Sequence, residues 1–152
     1  NGDHVSGSPN ILVIHGPNLN LLGTREPEIY GRATLAEIDA DLASQAAEMG
    51  CGIENYQSNH EGELIDRIQA AMGSCDGVLI NPGGLTHSSV SLRDALAATG
   101  LPVLEVHISN VFARESFRHQ SFVSGIALGV ISGLGPRGYA VGLEALVAHI
   151  RG

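Results

Sequence analysis

Short apolar runs alternate with amphipathic stretches along most of this chain. Ile11-Leu12-Val13-Ile14 is continuously apolar, as a strand buried on both faces of a parallel sheet requires, and it stops at Gly16-Pro17-Asn18. Leu35, Ile38, Leu42, Ala46 and Met49 then recur at helical spacing. Thr34 with Glu37 three residues on opens that helix as a capping box, and Gly50 closes it. Cys51 to Gln57 predicts a second strand, followed by a helix on which Leu64, Ile65, Ile68 and Met72 share a face. Gly77 to Asn81 repeats the buried-strand pattern, ends at Pro82-Gly83-Gly84, and leads to a helix over Ser89 to Ala98. Pro102 to Ile108 predicts a fourth strand, Ala127 to Ser132 a fifth, and Gly138 to Arg151 a closing helix.

Strands alternating with helices at this spacing imply repeated crossovers and a parallel sheet covered on both faces. The expected fold is α/β, a flavodoxin-like three-layer sandwich with a five-stranded parallel sheet. Ligands of such folds bind outside the carboxyl ends of the strands, where the strand order reverses. Asn18, Asn81 and His107 are polar residues at predicted strand ends, so they are expected to meet there.

Composition narrows the chemistry. With 152 residues, one domain with a real core is expected: residues 1–9 as a disordered tail or an expression remnant, and 10–152 as a single domain. A formal charge of -8 argues against a nucleic-acid groove or an anionic membrane surface, which leaves small molecules as the favoured partner. No run approaches membrane-spanning length, and Asn1 to Pro9 lacks the charged and apolar regions of a signal peptide. Cytoplasmic localisation is therefore expected, with Cys51 and Cys75 as buried free thiols. The basic side chains are all arginine, without a single lysine, so no side-chain ammonium can form a Schiff base with a ketone. Carbonyl chemistry here must run through acid, base and electrostatic groups.

Arg25 and Tyr30 lie five residues apart on the loop that follows the first strand. Free tyrosine has a pKa of about 10, and a fixed cation beside it favours the phenolate; a shift of about two units corresponds to roughly 2.7 kcal/mol. The pair could make a base, or it could simply pack on a surface loop. His107 interrupts an apolar strand, and Glu105, two residues earlier, shares its face, where a carboxylate can orient the imidazole and raise its pKa. The alternative is a satisfied interior ion pair. Asn81 to Ser89 brings backbone amides, hydroxyls and His87 toward a helix N-terminus, a setting that favours anions but is also an ordinary turn with an N-cap. Arg114 and Arg118, four apart, would share a helical face and could clamp a carboxylate, or be a solvated charge pair. Arg93-Asp94 reads as a helical charge pair, exposed or at a subunit contact.

Taken together, these residues resemble the type II 3-dehydroquinate dehydratases. The resemblance rests on the block Gly16-Pro17-Asn18-Leu19-Asn20-Leu21-Leu22-Gly23, the lid Arg25-Glu26-Pro27 with Tyr30-Gly31, and Asn81-Pro82-Gly83-Gly84 with Thr86-His87. Leu92-Arg93-Asp94-Ala95-Leu96, Glu105-Val106-His107-Ile108-Ser109-Asn110 and Arg114-Glu115 with Phe117-Arg118 complete it in family order, from about Ile11 to Ile150. The resemblance implies that Tyr30 accepts a proton, Arg25 stabilises its anion and the transition state, His107 donates a proton, and Asn18 positions a water near an enolate. It further implies substrate binding by Asn81, His87, Ile108, Ser109 and Arg118, with Arg114 as a nearby cation and Asp94 reaching into a neighbouring subunit's site. No cofactor and no metal are implied. The expected substrate is 3-dehydroquinate, the product 3-dehydroshikimate, the setting the shikimate pathway, and the assembly a homododecamer of four trimers. Leu85 stands where many relatives carry an aromatic, and Arg137 where a glutamine is frequent; neither holds a chemical role.

Other classes fit less well. A phosphoacceptor receiver needs an acidic pocket after the first strand and a lysine after the last, and neither is present. An FMN carrier is compatible with the fold alone, and a degenerate structural homologue conflicts with the complete set of Tyr30, Arg25 and His107. The seven histidines show no ligand spacing for a metal enzyme.

Overall fold

The computed structural model describes residues 8–24 and 26–152; Arg25 and most of the expected tail, residues 1–7, lie outside the described residues. Five parallel strands, β1 (Asn10–His15), β2 (Gly52–Gln57), β3 (Gly77–Asn81), β4 (Val103–His107) and β5 (Gly129–Ser132), form one sheet in the order β2-β1-β3-β4-β5. This is the flavodoxin-like order, which reverses between β1 and β3. The helices are the short α1 (Pro27–Tyr30), then α2 (Leu35–Met49), α3 (Glu61–Ala70), α4 (Val90–Thr99) and α5 (Arg137–Arg151).

Strand alternation divides the core into two halves. Ile11, Val13, Leu79, Leu104 and Val106 pack with Ile38 and Leu42 of α2 and Leu143, Leu146 and Val147 of α5. Leu12, Ile14, Val78, Ile80 and Val103 pack on the other face with Leu64 and Ile68 of α3 and Leu92 and Leu96 of α4. The same alternation sorts the polar strand ends: His15 and Asn81 continue the α2/α5 face, whereas Glu105 and His107 continue the α3/α4 face. The site therefore straddles the carboxyl edge of the sheet.

The expected capping of α2 is present: the Thr34 hydroxyl oxygen accepts from the Glu37 N–H at 3.2 Å, and Gly50 ends the helix at φ 69°. Ser89 caps α4 in the same way, accepting from the Leu92 N–H at 2.9 Å and donating to Glu61. Met72 departs from expectation. Helix α3 ends at Ala70, the buried position passes to Ala71, and Met72 is left 49% exposed just before Gly73 turns the chain at φ 85°. Both thiols are free, Cys75 buried as expected but Cys51 only half-buried; burial raises the pKa of each.

The loops after β1 and β3 are stitched together by backbone. The Gly16 N–H donates to the Asn81 carbonyl at 2.8 Å, and a Cβ at Gly16 would stand 2.3 Å from the Pro82 carbonyl oxygen. Only glycine permits that approach. It brings the Asn18 turn next to Asn81.

Candidate active site

A pocket of about 150 Å³ opens at the switch point between β1 and β3, walled by the loops after β1, β3 and β4. Asn18, Tyr30, Asn81, His87, His107, Ile108, Ser109, Arg114 and Arg118 all line it, so nearly every residue singled out in the sequence converges on one cavity. Pro17, Leu19, Gly83, Gly84 and Val111 complete the walls. Arg25 lies outside the described residues. Asp94 is outside the pocket, exposed on α4 and paired with Arg93 at 2.8 Å.

His107 and Glu105 are joined by a close contact between Nε2 and Oε2, the carboxylate being fully buried and the imidazole nearly so. A carboxylate accepts, so Nε2 carries a hydrogen and Nδ1 is the nitrogen left for a reacting group. Glu105 does not depend on His107 alone. Thr86 donates to it at 2.8 Å and Ser124 at 2.7 Å, and the Ser121 hydroxyl lies 3.0 and 3.1 Å from its two oxygens. Burial pushes the Glu105 carboxyl up, but the hydrogen bond and charge of His107 with these hydroxyls outweigh it and hold the group below the ordinary carboxylate range. Thr86, Ser121 and Ser124 are contributors that the sequence did not announce. A carboxylate inside an apolar strand announces that it needs partners, but not which distant hydroxyls supply them.

His87 lies parallel to His107, with ring centroids 6.4 Å apart. Its Nδ1 is 2.6 Å from the Gln120 carbonyl, which can only accept, so Nδ1 carries the hydrogen and Nε2 is free to accept. Across the pocket, Asn18 sits at φ 71° in the left-handed region that asparagine tolerates, with its N–H donated to Asn59 Oδ1 at 2.9 Å. Gln57 in turn donates to the same Asn59 oxygen and to the Gly16 carbonyl, each at 3.2 Å. The polar turn after β2 thus braces the Asn18 loop.

The expected helix bearing both Arg114 and Arg118 is absent. Two separate 3-10 turns, Val111–Ala113 and Ser116–His119, flank an extended Arg114 at φ −112°. The arginines nevertheless reach one cavity because the chain bends around it. Arg114 donates to the Ser109 hydroxyl at 3.1 Å, and its guanidinium carbon lies 5.3 Å from the centre of the Tyr30 ring. Arg118 donates to Glu115 at 3.0 Å, an ion pair in which the guanidinium is the more buried partner and the carboxylate is exposed. Tyr30 is the last residue of α1, a single turn without a buried residue, ended by Gly31 at φ 83°. Among the described residues, no group of histidines, cysteines and carboxylates is arranged to hold a metal ion, and no helix is long and apolar enough to cross a membrane.

The site thus offers an imidazole backed by a buried carboxylate, a phenol under a cation, and a carboxamide, a hydroxyl and two arginines lining the same cavity. That is acid, base and polyol-recognition equipment around a space sized for one small ring. The model of the family described as Dehydroquinase class II matches residues 9–147. The chain is 56% identical over 143 residues to a 3-dehydroquinate dehydratase of Acaryochloris marina, covering 94% of this chain and 96% of that one. It is 55% identical to a catabolic 3-dehydroquinase of Aspergillus oryzae, covering 93% and 92% of the two chains. The crystal structure of a type II dehydroquinase from Butyrivibrio crossotus superposes with a TM-score of 0.90 at 45% identity, covering 91% of this chain and 97% of that one.

Proposed function

The chain belongs to the class II dehydroquinase family and is a hydro-lyase that removes water from 3-dehydroquinate, and from that premise we propose how its residues divide the reaction. Tyr30 takes the C2 proton, which is acidic because a ketone stands beside it. The electron pair moves onto the carbonyl oxygen as an enolate, stabilised by a water that Asn18 holds. The enolate then collapses, the C1 hydroxyl leaves, and His107 supplies the proton that makes it water. Glu105 orients His107 and stabilises its charged form. With Nε2 committed to Glu105, the donated proton comes from Nδ1.

Arg114, set over the Tyr30 ring, and Arg25 supply positive charge to the phenolate and to the transition state. Asn81, His87, the Ile108-Ser109 segment and Arg118 hold the ring hydroxyls and the carboxylate, the latter through a guanidinium fork. Base and acid act from opposite faces of the ring, giving anti elimination to 3-dehydroshikimate, and α1 with its flanking glycines closes over the substrate to exclude water. The enzyme serves the shikimate pathway in the cytoplasm as a homo-oligomer, a dodecamer of four trimers, in which Asp94 reaches a neighbouring subunit's site. Its position outside its own pocket supports that last assignment.

The observation that carries this reading is the meeting of Tyr30, Asn18, Asn81 and His107 around one pocket, with Glu105 buried behind the acid. Adding 3-dehydroquinate to the purified protein and following the ultraviolet absorbance of the conjugated enone tests it. Steady enone formation is expected; its absence rejects the assignment.

A further inference from the structure

Beneath the pocket, a chain of polar groups runs from the site to helix α2. Asn81 Oδ1 accepts from the Gly83 N–H at 3.1 Å, and Asn81 Nδ2 lies 3.0 Å from the Tyr139 hydroxyl. That hydroxyl is 3.2 Å from His15 Nδ1, and His15 Nε2 is 2.8 Å from Asp39 Oδ1. His15, Tyr139 and Asn81 are all buried, whereas the Asp39 side chain reaches solvent at 27% exposure. Burial pushes the Tyr139 hydroxyl well above the ordinary tyrosine range, so it stays neutral and keeps its single hydrogen.

The direction of every bond follows by elimination. A backbone N–H can only donate, which commits Asn81 Oδ1 to Gly83 and Nδ2 to Tyr139. The Tyr139 oxygen therefore accepts from Nδ2, and its hydrogen goes to His15 Nδ1. The imidazole hydrogen then sits on Nε2, facing the Asp39 carboxylate. Turning over the Asn81 amide would set its NH2 against the Gly83 N–H, an unpaired arrangement in a buried place.

We propose that His15 is a positioning residue for substrate recognition: acting through Tyr139 and anchored by Asp39, it locks the Asn81 carboxamide so that one N–H and one oxygen lone pair remain for the hydroxyls of the ring substrate. This inference rests on the dehydratase reading, since Asn81 is there a substrate contact. His15 touches no reacting atom, and its effect is on affinity.

The test compares His15→Leu, which removes the acceptor, with His15→Asn, whose side-chain oxygen can stand where Nδ1 stood. Enone formation by His15→Leu should show KM raised about tenfold with kcat within about threefold of wild type, and His15→Asn should recover most of that loss. Equal KM values for the two variants, or a loss confined to kcat, overturn the proposal. Should His15→Leu fail to fold, Tyr139→Phe deletes only the linking hydroxyl and is expected to raise KM similarly; an unchanged KM overturns the proposal. Nitrogen NMR of histidine-labelled wild-type protein at neutral pH should find His15 with Nε2 protonated and Nδ1 bare, and a hydrogen on Nδ1, in the opposite tautomer or in the imidazolium, overturns the proposal without reference to activity. A wild-type protein that forms no enone rejects the dehydratase reading instead.

Discussion

His107 and Tyr30 face the same pocket but are held in opposite ways. His107 ends a central strand, is nearly buried, and leans on a carboxylate that is itself engaged by hydroxyls from two other segments. Tyr30 ends a single helical turn that buries none of its residues and is tethered by glycines at positive φ, Gly23 and Gly31. The contrast fits the roles proposed for the two groups. An acid acting on a departing hydroxyl gains from electrostatics prepared in advance in a dry site, where reorganisation has already been met by folding. A base on a lid can be brought to the substrate as water leaves, so its supporting contacts have to be light enough to remake.

Removing the proposed base carries the largest expected effect. Tyr30→Phe should lower kcat at least about 100-fold while KM and thermal stability stay close to wild type, because the ring and its contact with Arg114 survive. Near wild-type turnover, measured by enone formation, would eliminate Tyr30 as the base.

On the rigid side, Glu105→Gln should cost both chemistry and stability: roughly 10-fold to 100-fold in kcat and about 1–3 kcal/mol of folding free energy by urea titration. The pH dependence has a definite sign. The Glu105 carboxyl is held below its ordinary value in the folded protein, and the unfolded chain titrates near about pH 4.3. Its stabilisation is therefore complete above that pH and is lost as pH falls through the lower folded value. Urea midpoints of the wild type should drop in that acid window, and the Gln variant should drop less; parallel declines would show that Glu105 is not the group responsible.

The smallest effect belongs to the hinge. Gly31 has φ 83° and ψ −177°, a conformation essentially restricted to glycine. Gly31→Ala should lower kcat/KM by roughly 3-fold to 10-fold through a misplaced lid while changing global stability by about 1 kcal/mol or less, since α1 has no fully buried residue and only Tyr30 packs against the core. A large loss of thermal stability would mean that the lid is part of the core after all.

Local pattern carried most of the fold and an appreciable part of the site. The apolar run before Gly16, the Thr34–Glu37 box and the polar interruptions at Asn81 and His107 are local statements, and each landed where strand and helix periodicity placed it. Arg114 and Arg118 show where such reading stops. Their spacing matches a helix, yet Arg114 is extended between two 3-10 turns, because the loop wraps a cavity that holds it to Ser109 and Tyr30. Met72 likewise fits the helical period but lies beyond the point where packing ends α3.

Sequence alone established the alternation of buried strands and amphipathic helices, the lack of any lysine, and which strand ends carry polar side chains. Those follow from side-chain periodicity and composition, which are properties of neighbouring residues. Only the tertiary structure decided that Thr86, Ser121 and Ser124 would gather on Glu105, and that Asp39, His15, Tyr139 and Asn81 would align into one directed chain. Hydrogen bonds between residues 15 and 139 or 81 and 139 leave no mark on local pattern, because their partners become neighbours only when the sheet and its helices have packed.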